Sequence, residues 1–369
     1  MKIHRFGMCE SLYDMPLFVQ VVLTGLCNFD CSYCIGHIKM SRGGYQYSTF
    51  QQLQTAINHL AELNRPYYMF NISGGECTLH PHFFDFIEYA HKVLGKRCSF
   101  HISSNGSQSV KFYSKLADLA TQRNLDLSLM ISIHSEFTSL AHILAIVKEI
   151  SKKVGISFQL MFNPERRAFV QQACDMMLEL RAEYPFNMEV MTLLVPPAME
   201  KKDPRYTDED DLWRLQANDR FNEAAKASPF KCTYEYLPLG VPFIFGEHEG
   251  KYIAGTDYSP EEFSALGLFD FSNMFCLHGS HAINIFQNGD CTGLACGVGS
   301  SIPNTSNHNI FRENPYKDEN FILAVKCPFK RCPCDMNWWT PKFRNVKEAV
   351  RFVEIVRRKQ ARLLQGCPV

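Results

Sequence analysis

Residues 17–34 read Leu17-Phe-Val-Gln-Val-Val-Leu-Thr24, then Gly25-Leu26, then Cys27-Asn-Phe-Asp-Cys31-Ser-Tyr-Cys34. The first eight are almost continuously apolar and rich in valine, the composition of a strand buried on both faces. Three cysteines follow at once with the spacing C-x3-C-x2-C. Thiolate is the ligand that iron–sulfur clusters use, so three on one tight loop can hold three corners of an iron–sulfur cube. A cube held by protein alone takes a fourth. The corner left open can bind something other than protein, and an open coordination position marks a metal site that does chemistry. Half of a zinc site is the alternative reading of the triplet.

From this strand outward, short apolar runs alternate with helix-period runs. The apolar runs are Leu17–Thr24, Tyr67–Ser73, Cys98–Ser104, Leu125–His134, Ser157–Asn163 and Met188–Val195. Between them, Ser48 and Gln51 read as a capping box ahead of Leu53, Ala56, Ile57, Leu60 and Leu63 at helical spacing, stopped by Asn64-Arg-Pro66. Further helices are expected at His82–Leu94, Val110–Arg123, Leu140–Val154 and Arg167–Tyr184. Such alternation implies an α/β fold, a parallel sheet covered by helices. Six strands are too few to close the eight-stranded barrel, so the expected fold is a partial (β/α)6 TIM-like barrel. Functional side chains then belong at the C-terminal strand ends, and the cysteine triplet follows the first of these.

Composition narrows the function classes. The 38 basic and 38 acidic residues balance to a formal net charge of +0, which argues against a nucleic-acid or membrane-surface binder. No segment approaches the roughly 18 apolar residues of a membrane span. Of 15 cysteines, three lie in the first motif and six between Cys276 and Cys334, a clustering that suits metal sites. A soluble, cytoplasmic, reducing-compartment protein is expected.

The second strand ends in Ser73-Gly-Gly-Glu-Cys77, where two glycines let backbone approach a ligand and Glu76 can accept from an ammonium. The triplet and this Gly-Gly-Glu together resemble the radical S-adenosylmethionine (SAM) enzymes. The resemblance implies a [4Fe–4S] cluster on Cys27, Cys31 and Cys34 whose open iron chelates the amine and carboxylate of SAM. An electron from the cluster then breaks SAM into methionine and a 5′-deoxyadenosyl radical, which takes a hydrogen atom from the substrate. It implies SAM contacts at Gly74, Gly75 and Glu76 on the methionine amine, at Ser104, Asn105 and Ser132 on the ribose and carboxylate, and at Tyr33 near adenine. Cys77 stands where the family usually has proline. Asn105-Gly106 reads equally as an ordinary turn, and His134 as a strand-end histidine or a substrate contact. Asn163-Pro164-Glu165 ends the fifth strand, where a polar group can reach the methionyl carboxylate. A flavodoxin- or ferredoxin-type electron donor is the expected partner.

Further along, Ala282-Ile-Asn-Ile-Phe286 and Asn288-Gly289 read as a hairpin flanked by Cys276 and Cys296, followed by Cys327, Cys332 and Cys334. These cysteines resemble the SPASM and twitch auxiliary-cluster extensions, and imply a second [4Fe–4S] cluster drawn from the five. Zinc on the same cysteines is the alternative. Cys291 sits in the hairpin and reads as an excluded ligand or a hydrogen-donating thiol; with His134 it is a catalytic candidate. The expected division is a barrel at 1–200, a segment without assigned chemistry at 201–270, an auxiliary domain at 271–340 and a C-terminal helix at 341–369. That helix, Val346–Leu364, carries Val346, Val350, Val353 and Val356 as its apolar residues. In the segment, Asp208 to Lys226 reads as helix, and Val241–Phe245 with Lys251–Ala254 as a hairpin.

Two substrate classes fit: a small polar molecule (sugar, aminocyclitol or nucleoside) that is oxidised or epimerised, or a ribosomally made peptide. Sixteen residues ahead of the first barrel strand leave no room for the leader-binding domain many peptide maturases carry, which favours the small molecule. A non-catalytic zinc scaffold is the third reading.

Overall fold

The strand–helix alternation folds as a parallel sheet with helices packed on it. In the computed structural model, residues 2–7, 15–34, 47–194, 202–233, 243–248, 250–255, 271–293, 308–327 and 340–366 are described. The chain runs β1 (Lys2–Gly7), β2 (Leu17–Thr24), α1 (Phe50–Glu62), β3 (Tyr68–Gly74), α2 (Phe83–Leu94) and β4 (Cys98–Ser104). It continues through α3 (Val110–Arg123), β5 (Asp126–His134), α4 (Leu140–Ile150), β6 (Gly155–Phe162), α5 (Arg167–Arg181) and β7 (Asn187–Thr192). After these come α6 (Asp208–Ala227), β8 (Phe243–His248), β9 (Lys251–Gly255), β10 (Phe275–His278), β11 (Ala282–Ile285) and β12 (Asp290–Thr292). The last elements are β13 (His308–Asn309), β14 (Leu323–Lys326), β15 (Lys342–Phe343) and α7 (Val346–Leu364).

Strands β2 to β7 pair in parallel and in chain order. They form an unclosed sheet, the partial barrel read from the sequence. Helix α1 shows why the alternation works. Its buried face is Leu53, Ala56, Ile57 and Leu60, and burial of each Leu or Ile there contributes about 1.5–3 kcal/mol. Its capping box lies one residue later than expected: Thr49 accepts from the Gln52 amide, and the Gln52 side chain accepts from Thr49 at 2.8 Å. Ser48 is instead buried against the His80 Nε2 at 3.2 Å. Helix α4 stops at Ile150 and α5 at Arg181, short of Val154 and Tyr184, because the chain needs those residues to turn back into the next strand.

The hairpin β11–β12 does not stand apart. β11 adds to the free edge of β2 in parallel, from Ala282↔Phe18 to Ile285↔Val21, and β12 and β13 extend the sheet to nine strands among the described residues. At the opposite edge, α6 covers β7. Asn218 accepts from the Val190 amide at 2.7 Å and donates to its carbonyl at 3.4 Å, occupying an edge that would otherwise be open for pairing. The segment without assigned chemistry thus blunts the barrel's last strand.

A second, antiparallel sheet is ordered β14-β10-β15-β1-β8-β9. It gathers strands from both ends of the chain, and β1 lies in a stretch whose alternation is too short and too charged to read as a strand. Helix α7 packs on this sheet through Ala349, Val353, Val356, Gln360 and Leu363. Val346 and Val350 are exposed, contrary to expectation, because the buried stripe passes one residue beside them. No helix among the described residues is long and apolar enough to cross a membrane.

Candidate active site at the strand ends

Beyond β2 the chain turns through Thr24–Leu26 into the cysteine loop, and β3 supplies the support. The Gly75 amide donates to the Thr24 carbonyl at 2.8 Å, and the Glu76 amide to the Leu26 carbonyl at 2.8 Å. A Cβ on Gly75 would lie 2.1 Å from the Leu26 oxygen, and Gly74 has φ +136° against the Thr24 carbonyl. The two glycines therefore allow close approach of one backbone to another, welding the Gly-Gly-Glu turn to the base of the cysteine loop. They also line the cavity described below.

Glu76 is held from within the fold. Its carboxylate is fully buried and lies outside the lining of the cavity. It accepts from the Thr78 amide (3.2 Å) and hydroxyl (2.6 Å), the Ser104 hydroxyl (2.9 Å) and the Asn105 amide (2.6 Å). Burial raises its pKa, opposed by these four donors. Through these donors, three on Oε1 and one on Oε2, Glu76 ties β3 to β4. Ser104 is similarly engaged: its hydroxyl also lies 3.0 Å from that of Tyr113 and accepts from the Gly106 amide at 3.1 Å. Asn105 reaches the cysteine loop, donating to Asn28 Oδ1 at 3.0 Å and to the Cys27 sulfur at 3.7 Å.

A clamp the sequence did not reveal holds the other side of the loop. Glu136, just after β5, accepts from the Ser32 amide at 2.9 Å, the Ser32 hydroxyl at 2.5 Å and the Asn163 side chain at 3.2 Å. A lone acidic residue in a turn carries no pattern; only the fold brings it to the loop. Asn163 also accepts from the Glu165 amide at 3.0 Å, so its side chain is used in this clamp and in its own turn.

Cys27, Cys31 and Cys34 line one wall of a cavity of about 450 Å³. Burial raises the Cys27 thiol above its ordinary range. It pushes Cys31 up to about 12, aided by Glu136, Cys34 and Cys27. Thiols that feel one another's charge in a partly buried wall become thiolates only with a compensating cation, which bound iron supplies. Among the described residues no three Cys, His, Asp or Glu side chains converge to hold a single metal ion. A cube takes one thiolate at each corner, and these three cysteines on one cavity wall could supply three of them.

The same cavity is lined by Gly74, Gly75, Ser104, Asn105, Ser132, Tyr33 and His134. Tyr33 stacks on His134 with ring centroids 5.8 Å apart, and its hydroxyl meets Nδ1 at 3.1 Å. Burial lowers the His134 pKa to about 4 and raises that of Tyr33, so a neutral phenol and a neutral imidazole share this hydrogen bond. Cys291 is not in this cavity. It is buried on β12 with its thiol 3.5 Å from the His308 carbonyl, which places it in the core and away from this site. Cys276 and Cys327 are both buried, on β10 and just past β14. Cys276 pairs with Val325, so Cys327, two residues on, lies diagonally across on the same face. Cys296, Cys332 and Cys334 lie outside the described residues.

Comparison with known proteins adds the following. Residues 21–155 match the family described as the Radical SAM superfamily. No curated protein matches the chain. Among solved structures, anSMEcpe with bound AdoMet is 14% identical, with 95% of each chain covered and a TM-score of 0.57. The same protein with bound AdoMet and a Kp18Cys peptide is also 14% identical, over 81% of this chain and 79% of that one, with a TM-score of 0.53. The SuiB structure from Streptococcus suis is 13% identical with a TM-score of 0.47, and this chain spans 64% of its length. The anSMEcpe likeness bears on the fold, and the match over residues 21–155 identifies that region as a radical SAM domain.

Proposed function

We propose that this chain is a radical SAM enzyme acting on a peptide. Its cofactors are SAM and a [4Fe–4S] cluster, the latter held by Cys27, Cys31 and Cys34. The carrying observation is that three thiols, the Gly74–Gly75 backbone, Ser132 and the Tyr33–His134 pair share one cavity at the strand C-termini. When bound, the cluster supplies the electron that splits SAM and generates the radical that takes the substrate's hydrogen atom. The chain's own tasks are to hold the thiols with Glu136 and Asn105, to orient SAM against Gly74, Gly75 and Ser132, and to keep water out. Glu76 and the Ser104 hydroxyl act as positioning groups in this reading.

The peptide is preferred to a small polar molecule because the chain shares a fold over 95% of its length with anSMEcpe, a protein solved with bound peptide. An auxiliary [4Fe–4S] cluster on Cys276, Cys327 and two of Cys296, Cys332 and Cys334 belongs to the same proposal, in a region at 271–340 of twitch type. It is supported by the shared face of Cys276 and Cys327. A flavodoxin- or ferredoxin-type protein is the proposed electron donor.

The test is anaerobic incubation of the reconstituted protein with SAM, dithionite and a library of short peptides. Peptide-dependent release of 5′-deoxyadenosine with a mass change in the peptide is expected. Release that responds only to sugars, aminocyclitols or nucleosides would replace the peptide with the small-molecule substrate.

A further inference from the structure

Barrel strands usually fill their interior with layers of Val, Ile and Leu. One layer here departs from that. Asn284 on β11 pairs with Gln20 on β2, Gln20 with Asn71 on β3, Asn71 with His101 on β4, and His101 with Ser128 on β5. Partners in register point to the same face, so amide, amide, amide, imidazole and hydroxyl form one row across five strands. Asn71 and His101 line the cavity, and the row lies three residues before Gly74, about 10 Å below the strand-end tier.

The row is connected but not self-sufficient. Asn71 donates to Gln20 Oε1 at 2.6 Å, Gln20 donates to the Ser73 hydroxyl at 2.5 Å, and His101 Nδ1 meets the Ser128 hydroxyl at 3.0 Å. The Asn71 side-chain oxygen has no hydrogen-bond partner although the residue is only 3% exposed. A buried polar atom left unpaired costs more than a hydrogen bond returns, so on a residue that lines a cavity it invites a partner reaching it from that side. Charge is scarce around it. Among the described residues lining the cavity there is no lysine or arginine, and the one carboxylate is Asp30, on the exposed rim of the cysteine loop. Burial lowers the His101 pKa to about 4, so its imidazole is neutral.

We propose that this row is the floor of the substrate site and selects an uncharged hydrogen-bond donor, a hydroxyl or a carboxamide. The Asn71 NH2 is held by Gln20, so its open atom is the oxygen, which takes a donor from the ligand. A carboxylate or ammonium would be stripped of water here with no counter-charge on the floor. The inference rests on the reading of this cavity as the active site. It narrows the reacting part of the substrate to a neutral polar side chain or its small-molecule equivalent.

The test uses crystals of the reconstituted protein with SAM, soaked separately with propionamide, 1-propanol, propionate and propylammonium. Propionamide and propanol are expected against Asn71 and His101, with the two ions excluded. In solution, Asn71→Leu should weaken propionamide about tenfold, while Asn71→Gln retains most of the binding. Propionate or propylammonium seated on Asn71, or none of the four at the row, overturns the proposal. Peptides then separate it from the reading it rests on. If propionamide binds but no peptide speeds 5′-deoxyadenosine release, the floor stands and the peptide falls. If peptides with Asp or Lys at the reacting position act as well as those with Asn or Ser, the floor falls and the peptide stands.

Discussion

The two cysteine-bearing regions are built by opposite means. The first places three thiols within eight residues of one loop, and the fold then grips that loop from both sides through Glu136, Asn105 and the Gly75–Glu76 amides. The second brings Cys276 and Cys327 to one face only because β10 and β14 pair antiparallel, in a sheet whose middle strands, β15 and β1, come from the two ends of the chain. Local spacing defines the first site. Long-range register brings the second pair of cysteines together.

The sharpest break between them is chemical. Replacing Cys27, Cys31 or Cys34 with alanine should abolish 5′-deoxyadenosine formation. Cys276→Ala or Cys327→Ala should lower iron from about eight to about four per chain, counted by colorimetric assay, while SAM cleavage persists. One zinc beside about four irons in the unmodified protein would give the second region to zinc instead.

The next largest effect separates their folding. Phe343 on β15 is fully buried and stacks on Phe352 of α7 at 4.7 Å. Phe343→Ala should cost about 3–5 kcal/mol in urea unfolding and loosen the second sheet first. Equal loss of hydrogen-exchange protection in β2–β7 would show that the two sheets unfold as one unit.

Glu136→Ala tests the clamp on the first loop. Groups that orient ligands typically contribute 10–100-fold to metal affinity or activity, so iron retention during chelator challenge should fall by about that factor. Unchanged retention would assign the grip to Asn105 and the glycine turn alone.

The smallest effect is a pH dependence. Burial lowers His101 in the barrel and His278 in the second sheet from an ordinary 6.5 to about 4. His278 accepts from the Gly293 amide at Nε2 (3.1 Å) and lies 2.8 Å from the Phe321 carbonyl at Nδ1, which suits a neutral ring. A histidine held neutral binds fewer protons folded than unfolded. Its contribution is therefore complete above about pH 6.5 and is lost as pH falls toward 4, by up to about 1.4 kcal/mol per pH unit. Urea midpoints at pH 7 and pH 5, in the wild type and in His278→Gln, measure how much of the slope belongs to the second sheet.

This contrast also explains what the sequence revealed. The six barrel strands and their helices were legible because consecutive elements carry strong periodicity and pair with neighbours, and helix ends shifted by four residues at most. The cysteine triplet and Gly74–Gly75 were legible as local motifs. β1 and the second sheet were not, since their pairing is set by distant partners. The attachment of β11 to β2 was hidden for the same reason. The internal partners of Glu76 were not legible, because a sequence does not say which way a carboxylate points; here Thr78, Ser104 and Asn105 donate to it. The floor left a trace, polar residues at inward positions of otherwise apolar strands, and that trace needed register to be read.

The central claim is that the first loop and its cavity cleave SAM. The most direct measurement is anaerobic reconstitution with iron and sulfide, followed by SAM and dithionite, with 5′-deoxyadenosine quantified beside a Cys31→Ala control. Slow release from the wild type and none from Cys31→Ala is the result expected. Iron bound without any SAM cleavage, or equal release from both proteins, would contradict the account.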